Sequence, residues 1–339
     1  MRLGTTSRGR QRQGPPTRGV PTGFALVELL AALAITAVLG AAVVRLLDRA
    51  QRFAGGVATL ADQRAQLAVA GFALEGALQG VAAGDGDLLG GSDSSVVYLG
   101  NVGSAIACAL GAGTLDVADQ RLSSGATITW WNTAPQPGDS LTILDEGLSL
   151  AAADDRWHHT MIAAVSGRTD ACLYTPYLDS LADAGSVGWR LTTSTPLPAT
   201  VVAGAIVRVS RPERFALYRS SGEWMLGWTE WNQGASAWNV IQPVAGPLLP
   251  YAAGGATSGF GVTWFDSLGA ALSPPPGIAP RLVAFTLGAT TRRAVRMDGL
   301  ARGARRDSLT GRVALRNSPG PSPPPDDVAP SARGEGSRS

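Results

Sequence analysis

The chain contains no lysine: all 28 of its basic residues are arginine. That bias reads as genomic composition rather than chemistry. Cysteine is nearly absent as well. The two present, Cys108 and Cys172, form no Cys-x-x-Cys pair, which argues against a thiolate metal site or a thioredoxin-like redox motif. Histidine is confined to His158 and His159. Acidic residues are missing from residues 1–23, which hold Arg2, Arg8, Arg10, Arg12 and Arg18. The rest of the chain then carries 23 basic against 26 acidic residues. A body so close to neutral lacks the basic stripe that nucleic-acid binding needs, so nucleic acid is not expected as a direct ligand. At the far end, residues 318–339 (SPGPSPPPDDVAPSARGEGSRS) are almost without large apolar side chains. Such a segment cannot bury enough surface to offset its ordering entropy, and a disordered tail is expected there.

What is present is one long apolar run. Residues 24–44 (FALVELLAALAITAVLGAAVV) carry a single charge, Glu28, among 21 residues. As a helix this run is about 30 Å long, the thickness of a bilayer core. The arginine-rich, acid-free segment before it should remain cytoplasmic, placing the body on the other side of the membrane. Three readings compete. One is a secretory signal peptide cut near Gly40–Ala42, one a plain signal anchor, and one a leader cut ahead of the apolar run. Glu28 discriminates between them. A carboxylate inside an apolar span costs roughly 3 kcal/mol or more, and neither a signal peptide nor a plain anchor needs it.

Beyond the span, Phe53, Val57, Leu60, Leu67, Gly71, Leu74 and Leu78 recur at helical spacing, interrupted by Arg64. The pattern predicts one helix over residues 24–81, with a soft point at Gly55-Gly56 and its end at Gly84-Asp85-Gly86-Asp87. The first half spans the membrane and the second packs under a sheet. From residue 92 the pattern turns to strands and turns, in keeping with 43 glycines and 22 prolines. Strands are expected at Ser95–Leu99, Ala126–Trp131, Ser140–Leu144, Ala205–Ser210, Arg214–Arg219, Glu223–Trp228, Gly261–Phe265 and Arg281–Leu287, with a hairpin turn at Ser220-Ser221-Gly222. A helix followed by many strands argues for an α+β fold: a long N-terminal helix packed against an antiparallel β-sheet body.

The motif Gly23-Phe24-Ala25-Leu26-Val27-Glu28 resembles the processing site of the type IV prepilin family. The resemblance implies cleavage between Gly23 and Phe24 by a prepilin peptidase, with N-methylation at Phe24. It implies that Glu28, fifth in the mature chain, pairs with the terminal amine of a neighbouring subunit during assembly. A buried carboxylate is tolerable when a cation neutralises it. Two departures are the long 23-residue leader and Arg45, where major pilins often carry a kinking proline. In the body, "RPERFALYRSSGEWMLGW", "GVTWFDSLGAAL" with "IAPRLVAFTLGA", and "GRVALRN" (Gly311–Asn317) loosely resemble PilW-type minor pilins and the type II secretion minor pseudopilin J. Removal of 23 residues from 339 leaves 316, which suits the longer PilW type.

The resemblance divides the chain into a leader (1–23), the helix (24–81), a pilin-like periplasmic body (82–317) and a tail (318–339). It implies a structural minor pilin that primes or caps a filament, held first as a single-pass inner-membrane protein. The alternative is a minor pseudopilin of a type II secretion system. The implied partners are other pilin or pseudopilin subunits, the prepilin peptidase/methyltransferase and inner-membrane lipid.

Several other patterns have a chemical and a plainer reading. Gly138-Asp139-Ser140-Leu141 spells the GDSL hydrolase signature, and Asp155-Arg156-Trp157-His158 supplies an Asp-x-x-His. A membrane-anchored periplasmic hydrolase would use Ser140 as nucleophile, His158 as base and Asp155 to orient it. The two blocks are too close together for that family, and the plain reading is a Pro-Gly-Asp turn entering a strand. No catalytic residue is assigned. His158 and His159 with Asp154 and Asp155 could make only a partial metal site, since neighbours on a strand face opposite ways. No metal or cofactor is expected. Trp224, Trp228, Trp231 and Trp238 read as packing before they read as a binding platform. Arg292, Arg293, Arg296, Arg302, Arg305 and Arg306 read as a solvated loop. In an oxidising compartment Cys108 and Cys172 are expected to bridge, closing a loop of about 64 residues; two buried free thiols are the alternative.

Overall fold

The computed structural model describes residues 26–117, 127, 129–148, 154–168, 188–252, 258–273, 280–292, 294–295 and 303–316. Gly23, Phe24, Cys172 and the tail 318–339 lie outside them.

The first element is the helix α1, Leu26–Gln79. Its sequence is rich in Ala and Leu and contains no proline, so no residue breaks the hydrogen-bond ladder. Gly80 follows the last turn, and the helix stops there, short of the Gly84–Asp87 run expected to end it. The chain divides within α1 into two compact units, Met1–Gly55 and Gly56–Ser339. The helix is continuous through Gly55-Gly56. In the first unit its apolar side chains, such as Leu30, Leu33 and Leu39, are exposed. The helix is long and apolar enough here to cross a membrane. In the second unit Leu67, Ala70, Leu74 and Leu78 are buried at steps of three and four. The expected stripe began too early: Phe53 and Val57 are exposed. A polar residue, Gln63, is buried instead, its Nε2 amide donating to the carbonyls of Ala289 (2.9 Å) and Arg305 (3.2 Å). Arg64, which interrupts the stripe, points outward and pairs with Asp307 (3.2 Å).

Fifteen strands follow among the described residues: β1 Leu88–Gly91, β2 Ser95–Gly111, β3 Thr114–Val117, β4 Trp130–Trp131, β5 Ser140–Asp145, β6 Arg156–Arg168, β7 Gly188–Thr193, β8 Ile206–Ser220, β9 Glu223–Asn232, β10 Ala237–Trp238, β11 Gln242–Leu248, β12 Phe260–Phe265, β13 Ala271–Leu272, β14 Leu282–Thr290 and β15 Arg306–Ala314. All strand pairings are antiparallel. The class is α+β, as expected. Two expected strands, 205–210 and 214–219, are one: β8 runs through Arg211-Pro212-Glu213, with Pro212 opposite Leu99. Of 126–131, only Trp130–Trp131 is assigned to a strand, and 126 and 128 lie outside the described residues. The Ser221-Gly222 turn joins β8 to β9, both residues at positive φ (49° and 86°), which suits a two-residue hairpin.

The strands form two assemblies that share one ribbon. β2 and β8 pair from Ser95↔Ala216 to Ile106↔Ile206. Their outer portions join β1, β9, β11, β14, β12, β13 and β15 in a sheet against the second half of α1. The core there gathers Leu67, Leu74 and Leu78 from the helix with Val96, Tyr98, Phe215, Leu226, Phe260, Trp264 and Phe285. The inner portions of the same ribbon close a circuit, β2–β3–β7–β6–β5–β8 and back to β2. This six-stranded ring encloses a second core of Val102, Ala105, Ala107, Leu115, Val117, Leu141, Ile143, Ile162, Leu191, Val207 and Val209. The ring is one contiguous stretch of chain, about residues 102–210, inserted between the two sheet portions of β2 and β8. A register shift between Asn101 and Gly103 switches the inward side of β2 from even residues (Val96, Tyr98) to odd ones (Ala105, Ala107).

Leu74 is fully buried between helix and sheet, whereas Phe72, two positions away, is 75% exposed. Leu74→Ala should lower unfolding stability by about 2–5 kcal/mol, and Phe72→Ala by about 0.5 kcal/mol or less, in denaturant melts of the full chain in detergent.

Candidate functional site

Glu28 lies in the first turn of α1, the one acid within the apolar stretch. An acid at this position also meets the positive end of the helix dipole. The two residues expected to flank the cleavage, Gly23 and Phe24, lie outside the described residues. Cys108 is fully buried and disulfide-bonded. Its expected partner, Cys172, lies outside the described residues.

The ring gives a second place where polar groups converge. Along β5 and the residue before it, Asp139, Leu141, Ile143 and Asp145 alternate onto one side. Leu141 and Ile143 fill the ring core, so each end of the strand carries a buried acid. At the end toward the main sheet, Arg211 grips Asp139 through Nε (2.7 Å) and a second guanidinium nitrogen (2.9 Å). Arg211 also donates to the Ala134 carbonyl (3.3 Å), and Asp139 accepts from the Gln136 amide (2.8 Å). The pair is enclosed, at 5% and 0% side-chain exposure. The Asp139 hydrogen bond holds the Arg211 guanidinium above its ordinary pKa against the opposing effect of burial.

Two residues further along β8, Glu213 accepts hydrogen bonds from the Tyr98 hydroxyl (2.6 Å) and the Trp228 indole (2.9 Å). Burial pushes the Glu213 carboxyl above the usual carboxylate range and Tyr98 well above the usual phenol range. A Cβ at Gly100 would overlap the Glu213 carboxylate, so only glycine fits beneath it.

At the other end of β5, Asp145 accepts from Thr200 Oγ1 (2.5 Å), the Gly147 amide (3.0 Å) and His158 Nε2 (3.1 Å). The Thr200 hydroxyl is the main cause that holds its carboxyl below the usual range. These groups line an open cavity of about 350 Å³ with Asp154, Arg156 and Pro198.

Ser140, His158 and Asp155 are not brought together. Ser140 stands opposite Met161, and His158 opposite Ile143, three residues along the same strand pair. At about 3.4 Å per residue that places their backbones roughly 10 Å apart. His158 is held by Asp145, not by Asp155. His159 faces the opposite side and meets Thr142 (3.2 Å), so the two histidines do not converge on one point. The acid that matters in the Gly-Asp-Ser-Leu stretch is Asp139, and its role is to hold Arg211.

In comparisons with known proteins, no family model, no curated protein and no solved structure matches the chain.

The tryptophans divide as packing predicts. Trp224 and Trp228 lie against the main core. Trp231 and Trp238 meet edge to face (5.4 Å), with the Arg214 guanidinium over Trp238 at 4.7 Å. Of the C-terminal arginines, Arg292 makes a two-pronged pair with Glu223 (3.1 and 3.0 Å), Arg305 offers its carbonyl to Gln63, and Arg306 opens β15. Arg293, Arg296 and Arg302 lie outside the described residues. Neither Asp139 nor Arg211 is distinguishable in sequence from a turn acid and a strand-surface arginine. Only Pro137-Gly138 ahead of Asp139 hinted at a fixed turn.

Asp139→Asn strands the buried Arg211 charge and should cost about 3–5 kcal/mol. The double variant Asp139→Leu with Arg211→Met should cost less than Asp139→Asn, by denaturant melts. Because Asp145 is depressed in the folded state, its stabilisation is present above the ordinary carboxylate pKa and lost as pH falls through the lower folded value. Asp145→Asn should flatten that acid limb in thermal melts run from pH 5 to pH 2.

Proposed function

We propose that the chain is a structural subunit of a type IV pilus-like filament, a minor pilin. On this reading a prepilin peptidase cuts between Gly23 and Phe24, and Phe24 is N-methylated. The subunit waits in the inner membrane with its N-terminus in the cytoplasm and its β-rich body in the periplasm, then moves into a filament.

The observation that carries this reading is the lone acid. Glu28 lies in the first turn of α1, four residues after Phe24, in an apolar stretch long enough to cross a bilayer. Its insertion is unfavourable by roughly 3 kcal/mol unless a cation meets it. A methylated terminal amine keeps its positive charge, and the amine of an adjacent subunit arrives at the depth of Glu28 when helices stack with a small axial offset. Salt-bridge formation in the low dielectric then favours that one register. The same helix, in its second half, is fixed to the sheet by Leu67, Leu74 and Leu78. One element thus serves the membrane, the filament and the body, and its job is geometry rather than turnover.

Mass spectrometry of the mature protein should find N-methyl-Phe24 as the first residue; an intact Met1 or a start near residue 42 would refute the reading. Glu28→Gln should leave cleavage intact and reduce incorporation into sheared filaments by about tenfold or more, a loss on the order of 1.4 kcal/mol or greater per subunit. Wild-type incorporation in that variant would remove the proposed role of the acid.

A further inference from the structure

The junction between ring and sheet holds more acid than its cation can neutralise. Glu213 and Glu230 stand directly opposite each other in the β8–β9 register, and Tyr98 stands opposite Glu213 in the β2–β8 register. Asp139 lies just beyond, under Arg211. The charged and titratable groups facing Glu213 are therefore Tyr98 from β2, Arg211 from β8 and Glu230 from β9, with Asp139 reached through Arg211. Among the described residues, three carboxylates share one guanidinium. That guanidinium is committed to Asp139 by two short bonds, and it reaches Glu230 only at 4.0 Å. Arg214, the next arginine on β8, is turned to Trp238 on the other side of the strand.

Both donors to Glu213, the Tyr98 hydroxyl and the Trp228 indole, fall on Oε2. Oε1 packs over Gly100, where there is no room for a side chain. Gly100 immediately precedes the register shift at Asn101–Gly103, the one irregularity in the ribbon that joins the two cores. The surplus acid thus sits at the irregularity where ring meets sheet.

We propose that the Glu213–Glu230 pair is a proton-operated latch: with one proton held on Glu213 Oε1 the ring is seated against the sheet, and loss of that proton sets two facing carboxylates against each other and loosens the junction. The step is a plain protonation equilibrium, the proton exchanging with water as the junction opens. Its sign follows from burial. A carboxyl whose affinity for the proton is higher when enclosed than when open favours the enclosed state at low pH, and that preference is lost as pH rises through the raised value. The ring of this subunit would then respond to the acidity around it, independently of whether the filament reading holds.

The test is hydrogen–deuterium exchange on the full chain in detergent micelles between pH 5 and pH 8, corrected for the intrinsic exchange rate and read in peptides covering 96–106 and 206–216. Wild-type protection should be greatest at the acid end and fall by about tenfold or more as pH rises. Glu213→Gln, neutral at every pH, should stay at the protected level with no slope. Glu230→Gln removes the opposing charge and should move the wild-type transition to lower proton affinity, so that loosening begins at a lower pH but is smaller in extent. Wild-type protection that does not change with pH, or an undiminished slope in Glu213→Gln, overturns the proposal. Should Glu213→Gln fail to fold, a Glu230→Gln transition identical to wild type in position and extent overturns it instead.

Discussion

The β2–β8 ribbon is the constraint on which the rest of the body depends. Two cores that share no residue are both built on it. Val96, Tyr98 and Phe215 belong to the core under α1, while Ala105, Val207 and Val209 belong to the ring. A strand pair has two sides, and serving two separate cores on the same side requires a local change of direction. β2 makes that change by its register shift, which swaps the parity of its inward residues. β8 makes no such swap: Val207, Val209, Arg211, Glu213, Phe215 and Leu217 keep one parity across both cores. The transition on β8 is made by chemistry instead, with Arg211 and Glu213 standing where one apolar core ends and the other begins. Side chains there have to be enclosed without being apolar, and each has found a partner.

That arrangement explains why a buried ion pair lies at the junction at all. Asp139 fixes the start of β5 to β8, and so fixes one wall of the ring to the strand it shares with the sheet. Two apolar side chains of similar volume would bind the same strands without specifying their register. A bidentate arginine clamp specifies distance and angle together. Gln233 adds to the same end by donating to the Gly138 carbonyl (2.7 Å), tying the β9–β10 hairpin to the turn that presents Asp139. The far end of the ring is closed by Asp145, where Thr200 and His158 come from different segments to one carboxylate oxygen. An acid at each end of an apolar strand is thus used twice, with arginine at one end and hydroxyl and imidazole at the other.

Much of the architecture was legible in the residues because it follows from periodicity. The apolar run, the change from helical spacing to alternation near residue 92, and the Ser221-Gly222 turn each have a local cause. The helix end was misplaced because Gly80 alone suffices to stop it. The break expected between residues 210 and 214 was misjudged because Arg211, Pro212 and Glu213 look like a loop by composition; pairing with Leu99 and burial of Arg211 override that. The ring was not legible. Its strands β3, β6 and β7 close through partners far apart in the chain, and β6 (RWHHTMIAAVSGR) carries polar residues that face outward. Closure of a circuit is a property of pairings, and no single segment records it.

The long helix changes character along its sequence. In its first unit it exposes leucine, valine and isoleucine in every direction, which is stable only in lipid or against other helices. In its second unit the apolar side chains converge on one side, and Gln63 is buried because two backbone carbonyls at the sheet edge are there to accept from it. Glu28 belongs to the first unit, and its neighbours along the helix are apolar for several turns in the C-terminal direction. Two acids thus stand in different surroundings: Glu28 among apolar side chains in the first turn of α1, and Glu213 in the body, where the Tyr98 hydroxyl and the Trp228 indole donate to it.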